Sequence, residues 1–359
     1  MLALEKRKEP SRVMAWAAPP IAVICTMIAG MILFAALGKD PFATIQLIFI
    51  SPFDNAFTRA ELLVKGAPLV LIALGLSLGF RAGVWNIGAE GQFIIGAITG
   101  GAAGLAVYDV AGVWVLPMMA IAGMLGGLLW AMIPALLRIR FNANEILVSL
   151  MLVYVAELLL SALVSGPLRD PDGFNFPESR LFHDSATLPI ILEGTRAHVG
   201  ALIALGAAVA GYLLLERHVF GFAVKVQGQA PRAARFAGFS QSTIIAACLG
   251  ISGALAGLAG MMEAAGPVGQ LVPALPVGYG FTAIIVAFLG RLHPVGILLA
   301  GLLMALTYIG GESAQLMMQL PAAAISVFQG MLLFFLLGAD VFVNHRLKRR
   351  PARGAQEAA

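Results

Sequence analysis

The sequence predicts an all-α polytopic membrane protein of about ten transmembrane helices, some short or broken, with both termini cytoplasmic. Three observations carry that prediction. Of the 359 residues, 60% are hydrophobic and 12% charged, whereas soluble domains hold about 45–50% apolar and 25% charged residues. The apolar residues fall in runs near the roughly 20 that one helical crossing requires. Finally, basic residues gather at the two ends and in two internal loops, while the longest polar loop is acidic in balance, which is the positive-inside pattern. The net charge of +4 therefore does not call for nucleic acid. The two cysteines, Cys25 and Cys248, each lie inside an apolar run and read as buried free thiols rather than a disulfide framework.

In chain order, Met1–Arg12 is a short charged tail on the cytoplasmic side. The apolar run Val13–Leu37 is too long for the 7–15-residue core of a signal peptide, so it reads as a retained first helix. Gly38–Arg59 is a polar external connection, and Leu62–Phe80, Ile87–Tyr108 and Val113–Leu137 are the next crossings. Arg138 and Arg140 place the following turn inside, and Ile146–Val164 crosses outward. Residues 165–198 form the long external loop, with Asp170, Asp172, Glu178, Asp184 and Glu193 and four prolines. Val199–Leu215 returns inward to a basic cytoplasmic loop at about 216–242. Ile244–Ala265 goes out, and two short spans follow, Val277–Leu289 and Pro294–Ile309, hinged at Arg291–Pro294. Ala322–Leu337 is the last crossing, closing a transmembrane domain of about 13–339 ahead of a basic cytoplasmic tail, 340–359. Gly/Pro-broken spans are the usual pointer to a transport pathway. Small residues spaced four apart, such as Gly75/Gly79, Gly96/Gly100, Gly123/Gly127 and Gly253/Gly257, permit close helix packing.

The most informative stretch is Phe80–Gln92, FRAGVWNIGAEGQ, set between two apolar runs. Polar side chains and glycines at membrane depth are tolerated only where they are buried in protein or line a wet cavity, and an ionisable residue there is a functional-site hypothesis. Glu90 reads either as an ion-pair partner of Arg81 or as a ligand contact. Trp85 reads either as packing or as a face on which a ring can stack. No metal-ligand spacing exists among the five histidines, and no GxxxxGK[ST] loop is present to cradle a nucleotide phosphate, so ATP, if used, is bound elsewhere.

A second stretch, Phe220–Gly238, carries Pro231 suited to a first helical position, helix-forming Arg232–Ala237, and Gly238 suited to the position past the end. This short basic helix is either a connector facing lipid headgroups or an element that docks on a cytoplasmic motor.

The succession GVWNIGAEGQ, FNANEILVSLMLVYVA, FGFAVKVQGQAPRAARFAGFS and GYGFTAIIVAFLGRLHPVG resembles the permease subunits of ABC importers of the ribose/nucleoside type. It is most similar to the purine-nucleoside permeases that work with a basic-membrane-protein-type lipoprotein receptor, and the likeness runs from about Glu61 to Leu337. The resemblance implies a substrate pathway at Trp85, Asn86, Glu90 and Gln92, with Tyr279 and Thr282 (and, less directly, Gln270) at the second broken region. Phe281 reads as packing. It implies ATPase coupling through Gly228, Pro231, Arg232, Ala233, Ala234 and Arg235. The family pattern has Asn where this chain has Ala230, so the side-chain cap ahead of Pro231 is expected to be missing, leaving Gln229 to substitute. The implied partners are cytoplasmic ATPase subunits that bind ATP and Mg, a second and unlike permease, an extracytoplasmic lipoprotein receptor and membrane lipid, in a bacterial cytoplasmic membrane. No cofactor or metal is expected on this chain. Two alternatives remain: an ion-coupled secondary transporter using Glu90 as its coupling carboxylate, and an ABC permease for a simple sugar. A membrane enzyme ranks below both, because no nucleophile, base and metal line up.

Overall fold

The computed structural model describes residues 2–7, 11–110 and 112–349. Met1, the stretch from Lys8 to Pro10, Ala111 and the C-terminal residues from Arg350 onward, including Arg353 of the expected basic tail, lie outside the described residues. The chain divides into two compact units, Met1–Ser51 with Gly310–Ala359, and Pro52–Ile309.

In the first unit, Ser11 caps α1 (Arg12–Ala36), its hydroxyl accepting from the Met14 N–H. α2 (Pro41–Phe49) was not expected within the polar connection. It forms because the Asp40 side chain accepts from the N–H groups of Phe42 and Ala43 while Pro41 sits in the first turn, where its missing N–H costs nothing. α13 (Ala322–Asn344) packs along α1. Phe34 and Phe328, both fully buried with ring centroids 5.7 Å apart, anchor this unit together with Ile48. Beside the helices, β1 (Leu2–Lys6) and β2 (His345–Arg349) form a short antiparallel ladder that brings the two ends of the described chain together.

In the second unit, α3 (Ala56–Arg81), α4 (Ala89–Ala106), α5 (Val115–Phe141) and α10 (Gln241–Glu263) form the packed centre, flanked by α6 (Glu145–Ser165) and α7 (Gly200–Tyr212). Gly257 of α10 is the pivot. A β-carbon there would overlap the backbone of Gly123 and crowd Gly127 on α5, and one at Gly96 of α4 would overlap Gly257 itself. Small residues thus let three backbones meet where lipid supplies no hydrophobic drive.

Among the described residues, eight helices are long and apolar enough to cross a membrane. α4, shorter and made more polar by Glu90 and Gln92, is a ninth candidate. The tenth predicted span is helical only as α11 (Tyr279–Leu289), whose 11 residues reach about 17 Å, roughly half the hydrocarbon thickness. Ahead of it, residues 269–278 run without regular structure. α12 (Pro294–Met318) continues nine residues past the predicted end and passes from one unit to the other at Gly310.

The segment 165–198, expected to be an external loop, is tied by its backbone to the segment that follows α10. Leu188 N–H donates to Ala265 O, Phe182 N–H to Gly269 O and Ser179 N–H to Leu271 O. Arg196 forks onto Glu61 of α3 at 2.9 and 2.7 Å. His198 is buried, its Nδ1 accepting from the Gly200 N–H, and burial holds its imidazole below the ordinary value despite the opposing charge of Glu61.

Candidate functional site

The turn after α3 spans Ala82 to Gly88 and sets Asn86 against the first turn of α4, which carries Glu90 and Gln92. Asn86 and Gln92, six residues apart, face each other: each amide nitrogen donates to the other's oxygen, at 2.9 and 3.1 Å. Asn86 also donates to Ser252 Oγ of α10 at 3.0 Å and accepts from the Gly88 N–H. Both amides are buried, and each of their side-chain nitrogen and oxygen atoms has a partner in this network. Ser252 was missed in the sequence; a lone serine in a run of Gly, Ala and Leu is the only signal it gives.

Glu90 does not pair with Arg81. Its carboxylate accepts from the N–H of Gly278 at 2.9 Å and of Gly280 at 2.5 Å. Those are N–H groups at the start of α11, which its own N-cap, Gly278, leaves without a side-chain acceptor. The carboxylate thus supplies from α4 the cap and the negative charge that a helix N-terminus favours. Gly280 is required by this approach, because a β-carbon there would overlap the Glu90 backbone. The two broken regions singled out in the sequence are one structure: the first turn of one span caps the interrupted helix of another.

The remaining predicted pathway residues cluster around α11. Tyr279 is fully buried, edge-on to Phe93 and Tyr308. Thr282 Oγ1 and Tyr308 Oη are 2.8 Å apart. Gln270 donates instead to Glu178 of the loop that follows α6. Trp85 is 41% exposed and stacks with Phe288, both rings resting on Phe80. Phe281, read as packing, is 40% exposed, and with Ile284 and Phe288 it forms one partly open face of α11 at helical spacing. The result is an aromatic stripe at the surface that ends on Trp85, backed by a buried polar layer.

The basic loop folds into two helices. α8 (Val219–Gln229) was unforeseen, whereas α9 (Pro231–Phe236) lies where Pro231 and Gly238 predicted it, with Gly238 at φ +85° closing it. As the sequence implied, the N-cap Ala230 offers no side-chain bond, but Gln229 does not take its place. Ala234 is buried against the protein, while Pro231, Arg232, Ala233 and Arg235 face outward and Phe236 is 94% exposed. Gly228, at the end of α8, is exposed too, yet its backbone lies against the Arg81 carbonyl at the end of α3.

Neither of two open depressions among the described residues touches these side chains. One, of about 590 Å³, is lined by Arg138, Arg140 and Asn142 at the end of α5 and by Gln241 and Ser242 at the start of α10. The other, of about 350 Å³, lies between the far end of α4 and the loop that follows α6. No group of three potential metal ligands occurs among the described residues.

A family described as branched-chain amino acid transport system / permease component matches residues 58–337. The chain is 36% identical to a glucose ABC transporter permease protein of Haloferax volcanii, over 96% of this chain and 93% of that one. It is 30% identical to a guanosine ABC transporter permease protein of Bacillus subtilis, over 93% of this chain and 97% of that one. A second guanosine ABC transporter permease protein from the same strain is 29% identical over 67% of this chain and 77% of its own length. No solved structure matches.

Proposed function

The chain belongs to the permease-component family of branched-chain amino acid transport systems, and we propose that it is the membrane subunit of an ATP-driven importer for nucleosides. It is a transport subunit rather than an enzyme, with ATP hydrolysis on a separate subunit. The observation that carries the nucleoside reading is the 30% identity to a guanosine permease, with which the partly open aromatic stripe of Phe281, Phe288 and Trp85 is compatible. Aromatic faces suit a neutral base that stacks, and the layer of Asn86, Glu90, Gln92, Tyr279 and Thr282 behind them holds that surface in place.

In this reading the pathway runs along the stripe and is completed by a second, unlike permease; that two distinct guanosine permeases of one strain resemble this chain supports such pairing. The protruding face of α9 meets the ATPase, with Arg232, Arg235 and Phe236 as contacts. The two ends of the chain lie in the cytoplasm, and a lipoprotein receptor delivers substrate to the opposite face. The ion-coupled carrier loses its main support, because both oxygens of Glu90 are engaged by backbone N–H groups.

Glucose is the second reading, favoured by the 36% identity to a glucose permease. Sugars also lie on aromatic faces, so geometry does not choose. Uptake of labelled guanosine, adenosine, uridine, ribose and glucose by cells expressing the complete transporter separates the two. ATP-dependent guanosine uptake, competed by adenosine and not by glucose, is the expected result. Glucose uptake alone would keep the machine and replace the cargo.

A further inference from the structure

Arg81, freed from its expected pairing with Glu90, joins three cytoplasm-proximal elements of the second unit. As the last residue of α3, it donates through Nε to Leu292 O at 3.1 Å and through a terminal nitrogen to Glu216 Oε1 at 2.8 Å. Glu216 lies in the π-helical turn, Leu213–Arg217, that ends α7 and leads into α8. Leu292 lies in the tight turn from α11 to α12, where Arg291 and Leu292 hold φ of +54° and +56°. Two consecutive non-glycine residues in the left-handed region are a strained arrangement that surrounding contacts must hold in place. Meanwhile the carbonyl of Arg81 is the surface against which Gly228 packs, and Gly83 comes beside it.

We propose that Arg81 is the positioning residue that transmits movement of the α8–α9 segment to α11, the interrupted helix whose far end Glu90 holds. The inference rests on the reading of α9 as the ATPase contact. A displacement of α8 presses through Gly228 on the end of α3 and pulls through Glu216 on the Arg81 guanidinium. The same guanidinium holds the strained turn at the end of α11. The planar fork is what permits one side chain to serve two acceptors on different elements, and a lysine in its place cannot reproduce it. Gly228 is required on its side, because a β-carbon would overlap the Arg81 carbonyl.

Spatial succession alone does not establish such a relay, so the test measures coupling. The complete transporter, reconstituted in proteoliposomes, is assayed for ATP hydrolysis and for labelled guanosine and glucose uptake in wild type, Arg81→Gln, Arg81→Lys, Gly228→Ala, Glu216→Gln and the Arg81→Gln/Glu216→Gln pair. Uptake per ATP hydrolysed is expected to fall about tenfold in each single variant, the scale of one lost hydrogen bond to a charged group. The pair should lose no more than the worse single change. Poor folding would lower hydrolysis and uptake together without altering their ratio, and if Arg81→Gln is too scarce to assay, Arg81→Lys and Gly228→Ala decide. An unchanged ratio in those variants, with wild type coupled, overturns the relay and leaves the importer standing. Wild-type uptake that does not depend on ATP overturns both.

Discussion

Removing the Glu90 carboxylate should release the start of α11. In Glu90→Ala the buried N–H of Gly280 and the half-buried N–H of Gly278 lose their acceptor. A buried donor left without a partner costs about 1–3 kcal/mol and the half-buried one adds less, so the pair stays below about 6 kcal/mol before relaxation. Loss of the negative charge at the helix N-terminus removes a further 0.3–1 kcal/mol or so. Glu90→Gln is the sharper variant, because it keeps the shape and one acceptor but turns an NH₂ toward the second N–H. It should lose about half as much, or about 1–3 kcal/mol. Thermal unfolding of the purified protein in detergent, followed by tryptophan emission, should show a fall of about 2–4 °C per kcal/mol on the scale of soluble domains. Uptake should decline in the same order, Ala below Gln below wild type. The reasoning is refuted if Glu90→Gln melts with wild type yet transports nothing, since that pattern belongs to a carboxylate whose protonation is used in the cycle.

Three further outcomes follow from other parts of the chain. Gly257→Val should force the three-helix junction apart and cost more than the roughly 1–3 kcal/mol of ordinary overpacking, because the obstructing atoms are backbone; normal membrane levels and melting would contradict the packing described. Reversing both exposed arginines of α9, Arg232→Glu with Arg235→Glu, should abolish ATP-dependent uptake while leaving the protein in the membrane, checked by membrane fractionation beside transport; surviving uptake would remove α9 from the ATPase contact. His198 is held below its ordinary value in the folded chain, so the unfolded chain binds the extra proton first as pH falls. Its contribution is complete above the unfolded pKa of about 6.5 and is lost as pH drops through the range below it. Wild type should therefore lose more melting temperature than His198→Gln between about pH 7.5 and about pH 5.5, and equal losses would contradict the assignment.

What the sequence made legible, and what it did not, divides along the range of the interactions. The ends of α9 were readable because Pro231 and Gly238 act locally, through a fixed φ and a left-handed turn. Most spans were readable because length and apolarity are local sums, though α12 was cut short: Gly310-Gly311-Glu312-Ser313 looks like a loop, yet Gly310 packs on the backbone at Ile48 and the helix continues. α2 was missed for the opposite reason, since its Asp40–Pro41 cap is a local signal that the polar surroundings obscured. The function of Glu90 was out of reach of local reasoning. Its partners lie 188 and 190 residues away and are backbone N–H groups, which no residue type announces. Charge alone favoured Arg81, yet Arg81 is held by Glu216, 135 residues away, and by a carbonyl. Sequence thus identifies where a polar group at membrane depth needs an explanation, because an unsatisfied one is too costly to persist. It cannot name the partner when that partner is the open end of another helix. Interrupted spans create such ends, so in a chain of this kind an intramembrane carboxylate should be tested as a helix cap before it is assigned to a substrate or a proton.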